Sequence, residues 1–175
     1  VLYNPTATSW ANESQILEQC LEKVLGTDYV DVIVRAGPET GFLNERRSGN
    51  YGLMKCNWGA DYADPETWTD PFVEGSKYNY IYKSEDPATQ ALFAEYTQLV
   101  DAAKAITNDM DARYEAFAKA EALLLKHGFA LPMHTCTRNY LMSKLNIFDS
   151  QYAPFGVAYL RYKDQYLYED SMSLT

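Results

Sequence analysis

From Lys55 to Pro65 the chain reads Lys-Cys-Asn-Trp-Gly-Ala-Asp-Tyr-Ala-Asp-Pro, and several residues able to do chemistry stand close together there. Trp58 offers an indole, Gly59 a backbone without a Cβ, and Asp61 a carboxylate. An aromatic wall, a point where a second backbone can come near, and a charged acceptor form a set suited to binding. Each also has a plainer use. A single Trp packs more often than it touches a ligand. Asp61, taken alone, reads first as a loop-capping or turn residue, and a turn is enough to explain Asp64-Pro65. Lys55, taken alone, is a solvated surface lysine.

Bond-breaking chemistry fits less well. Asp61, Asp64 and Glu66 can be arranged as paired carboxylates for glycoside hydrolysis, but nothing in the sequence fixes an acid–base partner. The stretch from Asp61 to Asp70 has calcium-loop acidity, yet it lacks the glycine at the sixth place and the glutamate at the twelfth. His134 and Cys136 alternate on one segment with His127 nearby, and two ligands on a strand do not make a tetrahedral metal site. Neither a GxxxxGK loop nor a GxSxG elbow occurs. Arg46-Arg47 is only a charge pair on a short predicted helix. No metal or other cofactor is expected.

The elements that must position these residues follow from periodicity. Val1 to Asn4 reads as a strand closed by Asn4-Pro5, with helix caps on offer from Thr6 to Ser9. From Glu13, the apolar residues Ile16, Leu17, Cys20, Leu21, Val24 and Leu25 have helical spacing, and Gly26 stops the run. Val30 to Val34 is a β-branched strand, which completes a parallel strand–helix–strand crossover. After Gly37-Pro38, a short helix is predicted over Glu39 to Arg47. Ser48-Gly49-Asn50 then turns the chain into a third strand, Tyr51 to Asn57, buried on both faces. The Trp58–Asp61 loop thus follows a strand's carboxyl end, where ligands sit in α/β sheets.

Residues 62–85 show little periodicity, and an irregular connection of that length is often functional. Two helices follow. Pro87 opens the first, with Leu92, Phe93, Tyr96, Leu99, Val100 and Ala103 on one face. Thr107-Asn108-Asp109 breaks the run, and Tyr114, Phe117, Ala120 and Leu124 mark the second helix. Phe129 to Thr135 reads as an edge strand carrying Pro132, followed by extended segments at Tyr140 to Phe148 and Tyr159 to Tyr168. The order points to an α/β domain with a mixed sheet.

At 175 residues a single domain over residues 1–175 is expected, with a composition of the globular kind, 47% hydrophobic and 22% charged. A net charge of −9 argues against nucleic acid or an anionic membrane as partner. No apolar run approaches the length of a membrane span. The chain opens on Val1 with no signal peptide in view, and so reads as a piece of a longer protein. Its three cysteines, Cys20, Cys56 and Cys136, are odd in number and far apart, which predicts buried free thiols. Fifteen tyrosines suit a wet recognition surface, although many can be core.

Trp58-Gly59-Ala60-Asp61-Tyr62-Ala63-Asp64-Pro65 resembles the W-x-A-D-Y-x-D-P signature of the family 5 extracellular solute-binding proteins, the oligopeptide- and dipeptide-binding proteins of bacterial ABC importers. Arg113-Tyr114-Glu115-Ala116-Phe117-Ala118-Lys119-Ala120-Glu121 and Ala130-Leu131-Pro132-Met133-His134 are similar to later parts of the same family's C-terminal lobe. The resemblance runs over nearly the whole chain. It implies one lobe of a type II periplasmic-binding-protein fold, with a mixed, mostly parallel sheet flanked by helices and the other wall of the cleft supplied elsewhere. It further implies a non-catalytic protein outside the cytoplasm, periplasmic or lipid-anchored, that binds a small peptide and delivers it to a membrane permease.

Under that resemblance the order of readings at Asp61 turns round: its carboxylate pairs with the free α-ammonium of a peptide. Trp58 flanks the ligand, and Gly59 leaves backbone open for strand-like pairing. Lys55 stands where some members carry a basic residue for the peptide carboxylate, although it lacks an arginine's fork. Some relatives have a bulkier residue at the Gly59 position. The scaffold also accommodates dipeptides, oligosaccharides, nickel complexes or haem, and the motif does not choose among them.

Overall fold

The computed structural model describes residues 1–78, 83–135, 151–152, 160–161 and 169. Two compact units are present, Val1–Trp58 with Asp70–Gln98, and Gly59–Thr69 with Leu99–Thr175.

The first unit is built around β1 (Leu2–Tyr3). It pairs in parallel with β2 (Arg35–Ala36), Leu2 opposite Arg35 and Tyr3 opposite Ala36. On its other side Leu2 forms a parallel bridge with Met54. The Leu2 N–H donates to Leu53 O at 2.8 Å, and Lys55 N–H donates to Leu2 O at 2.9 Å. A parallel pair needs a crossover, and α1 (Thr8–Leu25) supplies it, packing on β1. Gly26, at φ +88°, ends α1 by donating its N–H to Glu22 O.

Two expectations shift here. Residues 30–34 form no strand; pairing with β1 begins at Arg35. The Val32 N–H is taken by the Glu22 side chain at 3.1 Å, so a helix carboxylate holds the segment that β-propensity favoured as strand. Residues 51–57 contribute only the bridge at Met54. The apolar face predicted for α1 is also split. Ser14 is fully buried and Leu2 lies at 1% exposure, while Ile16 and Val24 are 59% and 79% exposed. Helical spacing places Ile16, Cys20 and Val24 on a face away from Ser14, and all three are exposed. Cys20 and Cys56 are therefore exposed free thiols, not buried ones; Cys136 lies outside the described residues.

After β2, Gly37 lies against the Phe42 ring so closely that a Cβ there would sit 2.4 Å from a ring carbon. This contact seats α2 (Phe42–Ser48). The region from 62 to 85 is more regular than its composition implies, since it holds α3 (Glu66–Thr69) and a short 3-10 turn (Asp70–Phe72). Glu74 N–H donates to Thr97 Oγ1 at 2.9 Å, tying the chain after that turn to α4 (Pro87–Ala105). Asp86 caps α4 through the Thr89 N–H and hydroxyl, and Pro87 occupies the first turn as predicted.

The second unit holds α3, the end of α4, and α5 (Met110–Lys126), with α3 against α5. Asp109 caps α5, its carboxylate accepting the Ala112 N–H at 3.0 Å. Val100, Ala103, Phe117, Ala120 and Leu124 are buried. Residues 129–135 form no strand, and Leu131 and Met133 stay exposed, so Pro132 sits in irregular chain. β3 (Gln151–Tyr152) and β4 (Leu160–Arg161) make an antiparallel pair. The extended segment predicted over Tyr140 to Phe148, and that over Tyr159 to Tyr168 apart from β4, lie outside the described residues. The architecture is a mixture of helix and strand in which the described strands are short.

Candidate functional site

The signature loop begins where the chain passes from the first unit to the second. Lys55 and Trp58 belong to the first, Gly59 and Asp61 to the second. The Trp58 ring meets Tyr78 edge-on, centroids 4.9 Å apart at 70°. Lys55 is not a solvated lysine. Its ammonium pairs with Glu13 and lies 5.6 Å from the centre of the Trp10 ring, with the side chain only 16% exposed. Gly59 is exposed, and a Cβ built on it would meet nothing within 4 Å. A larger residue fits there without displacing a neighbour.

Asp61 is exposed, and its backbone N–H donates to Thr67 Oγ1 at 3.1 Å. Among the described residues no donor reaches its carboxylate, so it is a braced residue with an open charge. The brace is built from the next turn of chain. Asp64 N–H donates to Tyr62 O, Thr67 N–H donates to Asp64 O, and Trp68 N–H donates to Pro65 O. Asp64 Oδ1 also accepts the Glu66 N–H at 2.9 Å, capping the start of α3.

Asp64 does more than shape a turn. Arg113 of α5 grips it with a two-pronged contact, Nε to Oδ2 at 3.0 Å and Nη2 to Oδ1 at 2.9 Å. Its Nη1 donates to the carbonyls of Ala103, Lys104 and Ile106 at 3.0–3.1 Å, closing the end of α4. Nη2 also reaches Glu66 Oε2 at 3.4 Å, and the guanidinium carbon stands 4.9 Å from the centre of the Phe117 ring. Arg113 is buried. Its hydrogen bonds to Asp64 hold that carboxyl below the usual aspartate range and hold the guanidinium charged. Glu66 pairs in addition with Lys104 at 3.1 Å. Two of the three acids considered for hydrolysis are thus committed to ion pairs.

Sequence reasoning passed over Arg113. Its partner lies 49 residues away, and no local spacing links them. The one available sign was that Asp64 and Arg113 each stand in a stretch resembling the same family. Beside the brace, Ala60, Tyr62, Ala63, Pro65, Trp68 and Tyr114 line an open groove of about 350 Å³. The three aromatic residues among them are each close to half exposed.

No family model matches the chain. Curated proteins do. The oligopeptide-binding protein SarA of Streptococcus gordonii is 29% identical over 163 residues, 86% of this chain and 25% of the relative. The dipeptide-binding protein of Lactococcus lactis is 29% identical over 120 residues, 67% of this chain and 20% of the relative. The periplasmic oligopeptide-binding protein OppA of Haemophilus influenzae is 26% identical over 104 residues, 59% and 17% respectively. Along most of its length the chain is similar to oligopeptide- and dipeptide-binding proteins. It spans about a quarter of the length of the first of them. These relatives are named for binding, and none for catalysis.

Proposed function

We propose that this chain is the C-terminal lobe of a non-catalytic peptide-binding protein of the type II periplasmic kind, serving an ABC importer outside the cytoplasm. The observation that carries the proposal is similarity along 86% of the chain to an oligopeptide-binding protein. The site geometry supports it. Asp61 offers an open carboxylate on a braced loop, which suits the α-ammonium of a peptide. Gly59 gives unobstructed backbone for strand-like pairing, and Trp58 supplies an aromatic wall. Lys55 is the fourth contact, toward the peptide carboxylate, and would share its charge between the ligand and Glu13.

In this reading a second lobe, outside these 175 residues, closes over the peptide, and the closed form is what a membrane permease accepts. Closure desolvates the Asp61–ammonium pair and so strengthens it. Among the described residues no helix is long and apolar enough to cross a membrane. The test is calorimetric titration of the full-length protein with a tri- to pentapeptide pool, wild type beside Asp61→Asn. Wild type is expected to bind, and the variant to lose roughly 2 kcal/mol, about thirtyfold in Kd. Equal binding by the two would remove Asp61 from the site.

A further inference from the structure

The geometry points to Arg113 as the positioning residue for Asp61, an inference that rests on the peptide-binding reading above. Arg113 touches no ligand in this scheme. It acts through Asp64 and Thr67.

Three links make the connection, all inside one compact unit. First, Arg113 holds both oxygens of Asp64, at 3.0 and 2.9 Å. Second, Asp64 fixes the start of α3, through Oδ1 to the Glu66 N–H at 2.9 Å and through its carbonyl to the Thr67 N–H at 3.2 Å. Third, the buried Thr67 turns its hydroxyl to the Asp61 N–H at 3.1 Å. The carboxylate that would meet the ammonium is therefore set by a chain of directed contacts ending on one guanidinium.

That guanidinium is itself held. Nη1 faces three carbonyls at the end of α4, Nη2 is divided between Asp64 and Glu66, and Phe117 lies beside the plane. A lysine can match the charge. It cannot supply the planar fork that meets Asp64 on one side and the α4 carbonyls on the other. An exposed loop carrying a functional carboxylate is thereby anchored to two helices, which is the support a binding residue needs to keep its geometry.

The experiment compares full-length wild type, Arg113→Lys and Thr67→Val, each titrated with a tri- to pentapeptide pool and with its N-acetylated copy. Thr67→Val removes the acceptor for the Asp61 N–H and leaves the ion pair intact. Circular dichroism checks folding at the titration temperature, and hydrogen exchange follows the Asp61 amide. Positioning predicts that both variants lose about tenfold in affinity for the free-amine pool, with the weak binding of the acetylated pool unchanged and Asp61 amide exchange faster. A purely structural Arg113 lowers the melting temperature but leaves the preference for free amines as in wild type, and that result overturns the inference. Should Arg113→Lys fail to fold, Asp64→Asn, which weakens the same grip, takes its place beside Thr67→Val. If wild type itself shows no preference for free amines while it still binds peptide, the ammonium role of Asp61 fails first and the inference with it. If Asp61→Asn loses the preference and both other variants keep it, only the inference fails.

Discussion

Asp61 and Asp64 stand three positions apart on one loop and have opposite fates. Asp61 is exposed with an open carboxylate, while Asp64 is clamped by a buried arginine. The clamp makes stability depend on pH. Hydrogen bonding from Arg113 lowers the Asp64 pKa below its ordinary 3.8 in the folded protein. Its contribution is thus fully present above 3.8 and is lost as pH falls below that value through the folded pKa. Asp64→Asn should flatten this acid limb in unfolding midpoints measured from pH 6 down to about pH 2; an unchanged slope would show that the pair does not couple to folding. Replacing the arginine is harsher, because Asp64 then loses its cation beside Glu66, which keeps only Lys104. Arg113→Met should cost roughly 3 kcal/mol in denaturant unfolding. None of this could be read from the sequence, where Asp64-Pro65 is fully explained as a turn and Arg113 is one charge on an amphipathic helix. The partnership is made by tertiary approach across 49 residues.

α4 and α5 were the most legible elements, each with a long apolar face and a clear start. α4 has its proline and a long apolar face, α5 follows the Thr107-Asn108-Asp109 break with an apolar row through Phe117, Ala120 and Leu124, and the structure adds the Asp86 and Asp109 caps. Asp109→Ala should remove about 1 kcal/mol from stability by leaving the Ala112 N–H without its acceptor, measured by urea unfolding. Strands were harder to read, and the reasons are specific. Val32 gives its N–H to the Glu22 side chain in place of a neighbouring strand, so a β-branched run does not become a strand. On α1 it is the small polar Ser14 that is buried while Ile16, Cys20 and Val24 are exposed, which an apolar count along the helix cannot weigh. A bulky substitution there tests this. Ser14→Leu should overpack this buried position and cost on the order of 1–3 kcal/mol, seen as a lower melting temperature.

For the whole molecule, family likeness was carried by three short stretches, and two of them turn out to meet: the signature supplies Asp64 and the α5 stretch supplies Arg113. Comparison with curated proteins bears out the relationship to oligopeptide-binding proteins over most of the chain. Ligand identity was not legible, because the motif residues Trp58, Gly59 and Asp61 suit several ligand classes alike. The chain spans about a quarter of the length of SarA, and under the proposed reading a single lobe offers only part of a two-lobe cleft. These 175 residues alone should therefore bind peptide far more weakly than the full-length protein, with no closure to desolvate Asp61. Titration of both forms under one set of conditions makes the comparison. The most direct measurement for the central claim is calorimetry of the full-length protein with a tri- to pentapeptide pool beside its N-acetylated copy. Binding of the free-amine pool, with the acetylated pool weaker by tenfold or more, is the expected result. Binding of neither pool would contradict the assignment of peptide as ligand.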